Sequence, residues 1–261
     1  MLKLALQQVG MSLKNEKNYL DVGTHFAQEH SSIFGSSFSF YLFVFKRFIS
    51  GGLLKRGRFV SYSELMKIFK ARAKIRKRKE RFFSIFVEAN KEIVQKKKFY
   101  PKADLLFNIA LTEDDSRPAV ITKLYFGKGN IFGEGSSLFE NKYESIDQDY
   151  MTTLGISSET FFQELGEFLD SRFGDYDVLL RLNCEGVEDN VIYSAHKYFT
   201  NKLKLICGSL KDVEELKGLD AADRLNLYLK DNQLPFVSFS SGIYSWHIAH
   251  TTISNLLERD I

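Results

Sequence analysis

Short apolar runs alternate with helix-like stretches through most of this chain, and the runs end on a glycine, an acid or an amide. The most apolar, YDVLLRLNCEG, passes from continuous Val and Leu into Asn183, Glu185 and Gly186, and VEDNVIYSAHKYF follows it with a helical pattern. YLDV leads in the same way into HFAQEHSSIF, FFSIFVEAN into KEIVQKKKF, and LKLICG into DAADRLNLYLKDNQ. Strands that are apolar on both faces are buried on both sides, and strands separated by helices return in parallel. An α/β fold with a mostly parallel sheet is therefore expected. ADLLFNIAL and AVITKLYF read as two further strands around the turn TEDDSRP. The Gly- and Ser-rich loop GKGNIFGEGSSLFE and the helix SSETFFQELGEFLDSRF follow. PFVSFS and IYSWHIA have no helix between them, which predicts an antiparallel edge hairpin. The residues up to about Lys17 read as a short amphipathic helix.

Size and composition permit one large domain. The chain has 261 residues, 44% of them hydrophobic and 26% charged, which supports a full core and excludes global disorder. A net charge of +3 does not by itself imply a nucleic-acid partner. Two cysteines, Cys184 and Cys207, are too few for a disulfide framework or a zinc site, and both sit in strand-like runs as buried thiols would. MLKLALQQVG is too short in its apolar part for a signal peptide. FSFYLFVF is too short to cross a bilayer and is closed by Lys46 and Arg47. A soluble, cytoplasmic protein is expected, with peripheral attachment at the inner face of a membrane as an option.

In an open parallel sheet, ligands sit beyond the carboxyl ends of the strands, where strand order reverses. The polar strand ends here are Asp21-Val22-Gly23, Glu88-Ala89-Asn90, Asn108 and Asn183-Cys184-Glu185-Gly186. A glycine lets a ligand approach the backbone, and a carboxylate ending the second strand can accept both hydroxyls of a ribose. Gly23 with Glu88 is thus the signature of an adenosine-containing cofactor. The plainer alternative is that such residues only cap the helices that follow.

The ordered set YLDVG, FVEANKEIV, FNIALTEDDSRPAVITKLYF, GEGSSL and DVLLRLNCEGVEDNVI resembles the FkbM family of S-adenosylmethionine-dependent methyltransferases. In that family the first strand ends in Asp-Val-Gly and the second in an acid. The third carries Asn-x-Ala-Leu, a Ser-Ser-Leu loop follows, and the fourth carries a Lys-Ile-Asp-Val-Glu-Gly-Ala-Glu run, matched here by Arg181 to Glu188. The resemblance spans about residues 18 to 195. It departs at Ala27, where the family has a second glycine, at Thr24 and His25, at Ala89 and at Asn183, which replaces an aspartate. Glu88 lies 65 positions after Gly23, against about 20 in an uninterrupted nucleotide-binding unit. Residues 35–81 therefore read as a helical insertion within a single domain, 1–261.

The resemblance implies a class I methyltransferase fold, Rossmann-like, with a mostly parallel seven-stranded sheet. It implies S-adenosylmethionine as cofactor and O-methylation of a hydroxyl. The acceptor class is a sugar of a surface glycan or a related natural product, which suits polysaccharide biosynthesis. Asp21, Gly23, Thr24, Glu88 and Asn108 are the candidates for holding the cofactor. His25, Asn183 and Glu185 are those for catalysis, and no metal site is assigned. Methyl transfer needs the acceptor oxygen in line with the methyl group and a group to take its proton. His25, just past Gly23, is best placed for that. His196 reads as a helix-surface residue. His247 and His250, spaced i, i+3 in a strand, point to opposite faces. Two rival readings stand beside this one: a catalytically silent interaction protein and a nucleic-acid methyltransferase.

The insertion joins the aromatic run FSFYLFVF to a helix start in SYSELMKIF, where Ser61 and Glu64 have capping-box spacing. It then carries a basic run, residues 67–79, with eight Lys or Arg. On a helix these are expected to surround the axis. A solvated face is one reading of them. Docking to an anionic membrane surface or a partner subunit is the other, and the upstream aromatic patch favours it over bare nucleic acid.

Overall fold

The computed structural model of the protein describes residues 17–24, 27–36, 40–41, 62–77, 82–96, 103–130, 135–143, 147–238 and 253–254. In chain order its elements begin with β1 (Lys17–Val22), α1 (Gln28–Phe34), α2 (Tyr62–Lys77), β2 (Phe82–Val87), α3 (Lys91–Val94), β3 (Leu105–Phe107), β4 (Ala110–Thr112) and β5 (Ala119–Gly127). They continue with a 3-10 turn (Glu140–Tyr143), β6 (Gln148–Ser157), α4 (Ser158–Phe173), β7 (Asp177–Leu182), α5 (Glu188–Phe199), β8 (Leu203–Gly208), α6 (Lys211–Lys217), α7 (Leu219–Asp231) and β9 (Phe236–Ser238).

All six residues of β1 and all six of β2 are buried, so these strands have to lie inside a sheet covered on both faces. The main sheet has the order β3-β2-β1-β7-β8-β9, and every adjacent pair is parallel. Side chains alternate between the faces. Leu20, Val22, Phe83, Ile85 and Leu180 face a core completed by Phe161, Phe162 and Leu165 of α4 and by Val191, Ile192 and Phe199 of α5. Tyr19, Phe86, Leu179 and Leu205 face the other way, onto Ile33 and Phe34 of α1 and Ile75 of α2. Helix α4 starts where Ser157 Oγ accepts the Thr160 N–H at 3.1 Å, and stops at Gly174, whose φ is 68°. Each of its buried Phe and Leu side chains contributes roughly 1.5–3 kcal/mol.

A second sheet, β4-β6-β5, has β4 parallel and β5 antiparallel to β6. Its Leu124, Phe126 and Met151 pack against Ala89 and Leu138, and Thr153 Oγ1 donates to the Ala89 carbonyl at 3.0 Å. The small sheet thus sits beside the carboxyl end of β2.

Several expectations change. ADLLFNIAL is not one strand: β3 belongs to the main sheet and β4 to the small one, with Asn108 and Ile109 between them. The main sheet has six strands among the described residues, where seven were expected. β9 joins β8 in parallel, and IYSWHIA, the other half of the expected hairpin, lies outside the described residues. So do the N-terminal amphipathic stretch before Lys17, Ser61 of the capping box, and most of FSFYLFVF. KEIVQKKKF yields only the single turn α3 among the described residues.

Asn18 is out of keeping with this core. It is fully buried on β1, opposite Phe83 and Val178, and neither its amide nitrogen nor its oxygen has a hydrogen-bond partner. A buried amide without partners is destabilising by about 1–3 kcal/mol. Asn18→Leu, close in volume, should therefore raise the unfolding free energy by roughly that amount in urea titrations. A destabilised variant would mean that the amide is satisfied after all.

Candidate functional site

Strand order runs outward from β1 to β2 and β3 on one side and to β7, β8 and β9 on the other, so the reversal lies between β1 and β7. Their carboxyl ends are drawn close together. The Asn183 N–H donates to the Val22 carbonyl at 3.0 Å, and the Gly23 N–H donates to the Val87 carbonyl at 2.9 Å. Gly23 has φ 71°, and a Cβ on it would collide with the Asn183 carbonyl oxygen. Only glycine fits there, both for conformation and for space. Thr24, buried, ties the turn back by donating from Oγ1 to the Asp21 carbonyl at 2.7 Å.

Asp21 and Arg181 stand opposite one another on β1 and β7. Arg181 Nη1 reaches Asp21 Oδ1 at 3.0 Å and the Gly23 carbonyl at 2.6 Å. Both side chains are buried. Asp21 thus carries the arginine that braces the glycine turn. Arg181 was not among the expected site residues. Its signal in the sequence was a lone cation inside VLLRL, which a buried strand tolerates only with an anion alongside.

Ala27 occupies the position where the resemblance leads one to expect glycine, and it still adopts a left-handed conformation, φ 48° and ψ 35°, as the residue before α1. An alanine there is strained by about 1–2 kcal/mol. Its burial in the core on that face holds it in place. Ala27 thus holds a backbone conformation that glycine adopts readily.

At the end of β2, Glu88 is nearly buried and its Oε1 accepts the Asn90 N–H at 2.9 Å. Asn90 Oδ1 in turn caps α3 through the Glu92 N–H at 3.0 Å. Asn108, exposed, donates from Nδ2 to the Glu88 carbonyl at 2.8 Å and to the Ala89 carbonyl at 3.2 Å. Asn108 therefore acts as a brace for the Glu88 loop.

Beyond β7 the chain turns through Glu185, φ 59°, and Gly186, φ 124°. The Glu188 carboxylate, fully buried at the start of α5, gathers this turn. Its Oε1 accepts the N–H groups of Cys184 at 2.7 Å and Glu185 at 2.8 Å, and its Oε2 that of Gly186 at 2.8 Å. Burial pushes the Glu188 carboxyl up to about 7, against the pull of the backbone amides. Glu185 Oε1 accepts the Asn183 amide at 3.2 Å, and its Oε2 pairs with Lys142. Lys142 also reaches Asp212 at 2.8 Å. Burial opposes the Lys142 charge, but Glu185 and Asp212 overcome it and raise the ammonium above its ordinary value. Burial raises the Glu185 carboxyl, with Lys142 pulling it back. Lys142 gave no sequence signal, because it meets Glu185 only through tertiary folding. Glu188 did give one, as an acid in the first turn of a helix.

The remaining candidates separate from this group. His25, His247 and His250 lie outside the described residues. His196 pairs through Nδ1 with the Tyr228 hydroxyl at 2.7 Å, joining α5 to α7. Burial raises the Cys184 thiol well above its ordinary value and pushes Cys207 up to about 12, which disfavours the thiolate of both. Asp21, Gly23, Thr24, Asn183 and Glu185 are therefore joined by direct contacts across β1 and β7. Glu88 and Asn108 share the neighbouring strand ends of β2 and β3. Comparison with protein-family models, with curated proteins and with solved structures finds no match for this chain.

Removing the carboxylate in Glu188→Ala leaves three backbone N–H groups without their acceptor, a loss of roughly 2–4 kcal/mol in unfolding free energy. The folded carboxyl sits near 7 and the ordinary value is 4.5, so the folded state binds the proton more tightly. Stability from this group is full below the lower value and declines as pH rises through the upper one. The gap between parent and variant should therefore widen from pH 8 to pH 5 in denaturant titrations. A gap independent of pH would show that Glu188 titrates normally.

Proposed function

We propose that the chain binds S-adenosylmethionine across the carboxyl ends of β1 and β2 and methylates a hydroxyl of a sugar-like acceptor. The observation that carries this reading is the obligatory glycine turn at Gly23, beside the reversal of strand order between β1 and β7, with Glu88 just past the neighbouring strand β2. The backbone of Gly23 and Thr24 would lie along the cofactor. Glu88 would take the ribose hydroxyls. A carboxylate has about four acceptor positions, one of which receives the Asn90 N–H. S-adenosylmethionine supplies an electrophilic methyl group on a sulfonium. The acceptor hydroxyl must lose a proton, and Glu185, raised by burial, is the described carboxylate suited to receive it. Lys142 and Asn183 orient that carboxylate. Sugar hydroxyls as acceptors, and their place in glycan or polysaccharide biosynthesis, rest on the FkbM resemblance.

A specific observation favours a second reading, a binding protein without catalysis. Asp21 is engaged by Arg181 and Glu185 by Lys142, so both carboxylates already have protein partners. Asn183 adds no charge. Titration with S-adenosylmethionine and its demethylated product in a calorimeter tests the binding shared by both readings, and acceptor methylation separates them.

Glu88→Ala should weaken cofactor binding by about 1.5–3 kcal/mol, the range for hydrogen bonds to a charged group, or roughly ten- to 150-fold in Kd. Parental affinity in that variant would place the adenosine elsewhere. No binding by the parent at millimolar cofactor would remove the methyltransferase reading altogether.

A further inference from the structure

The helix α2 carries buried and exposed residues on different sides. Among its described side chains the buried ones are Ile68, Ala71, Arg72 and Ile75, the i, i+3, i+4, i+7 pattern of one face. Arg72 is turned inward, where it donates to the Gly35 carbonyl at 2.7 Å and the Ser36 carbonyl at 2.8 Å and lies over the Phe40 ring. The described cations still spread around much of the axis, as expected, with exposed Arg76 about 40° from Arg72. Lys67, Lys70, Lys74 and Lys77 are exposed, and their spacing of three, four and three residues puts them in one line. At about 100° and 1.5 Å per residue, that line occupies an arc of roughly 80° and runs some 15 Å.

Charge is segregated toward this part of the chain. Residues 30–79 contain 13 Lys or Arg and one acid, Glu64, which leaves 23 cations against 32 acids elsewhere (36 less 13, 33 less 1). Beside the line, Tyr41 is 58% exposed and packs on Phe69 with ring centroids 5.7 Å apart, and Met66 is also exposed.

We propose that α2 docks the protein on the surface of an anionic lipid bilayer through Lys67, Lys70, Lys74 and Lys77. A lipid surface fits better than a nucleic acid because apolar side chains, Tyr41 and Met66, are exposed beside the lysine line. Lipid offers phosphates to the lysines and an acyl boundary to the apolar side chains. A phosphodiester backbone offers only the phosphates. The apolar arc of α2 is committed to the core, so its own contribution is electrostatic. No helix among the described residues is long and apolar enough to cross a membrane.

Cosedimentation of the full chain with phosphatidylcholine vesicles, with and without phosphatidylserine, tests this. The parent should bind only the phosphatidylserine vesicles and be released by salt. The variant K67Q/K70Q/K74Q/K77Q should bind about tenfold more weakly or worse, with an unchanged melting temperature. A matched variant elsewhere on the surface, K91Q/K128Q/K197Q/K211Q, should bind like the parent. Equal losses in both variants would show that only net charge matters and would overturn the proposal. So would absence of vesicle binding by the parent, or full binding by the α2 variant. Salt-sensitive binding to RNA or duplex DNA without vesicle binding would assign the lysine line to nucleic acid instead.

Discussion

The ion pair between Arg181 and Asp21 is the contact on which the arrangement of the rim depends. Both side chains are buried, 3.0 Å apart, on the two strands between which the sheet changes direction. A buried charge left without its partner is destabilising by about 3–5 kcal/mol. A register slip between β1 and β7 would therefore be penalised at once, as would a different neighbour for β1. The same guanidinium holds the Gly23 carbonyl, so strand register and turn geometry are coupled through one side chain. Gly23 then has no room for anything larger because Asn183 is held against it. What looks like a binding turn is first a consequence of how two central strands are locked.

The loops above that lock are ordered by charge more than by apolar burial. Lys142 bridges Glu185 and Asp212, and Lys217 bridges Glu113 and Asp189, each joining carboxylates from separate elements. Glu188 gathers three amides of the same turn. These five carboxylates meet two lysines, so the rim keeps a negative bias even with Glu188 partly protonated. A cationic ligand group, such as the sulfonium of the proposed cofactor, is favoured in that field, whereas an anionic one is opposed.

Legibility in the sequence followed how local the determining physics was. β1, β2, β7 and β8 were legible because two-sided burial makes their sequences continuously apolar, and α4, α5 and α7 because one apolar face repeats. The strand β6 was not seen. Only Met151, Leu154 and Ile156 are aliphatic in QDYMTTLGIS, and its outer face, with Tyr150 and Leu154, is exposed. ADLLFNIAL read as one strand because nothing local marks where a chain leaves one sheet for another. At the rim, Gly23 and Glu88 could be singled out from strand ends alone. Arg181 and Lys142 act through partners 160 and 43 residues away, a separation over which sequence pattern carries no information. Within the basic run, the burial of one cation was not legible for a related reason. Counting charges ignores that Arg72 can be buried when two helix-end carbonyls and a ring receive it.

The inward turn of Arg72 also connects the two ends of the molecule's chemistry. It binds the carbonyls of Gly35 and Ser36, just past the last residue of α1, while α1 begins immediately after the left-handed Ala27 and the Gly23 turn. Helix α1 is seven residues long, about 10 Å at 1.5 Å per residue. The lysine line and the glycine turn are therefore linked through one short, packed helix and not through a flexible tether. Ile33 and Phe34 of α1 and Ile75 of α2 share a core with Tyr19 of β1, so neither helix can shift without disturbing the central strand. A surface held by α2 would thus be held at a set distance from the rim. For an acceptor carried on a lipid, that geometry would present its hydroxyl to the rim in a restricted range of orientations, which is the positional control that transfer to one hydroxyl among several requires.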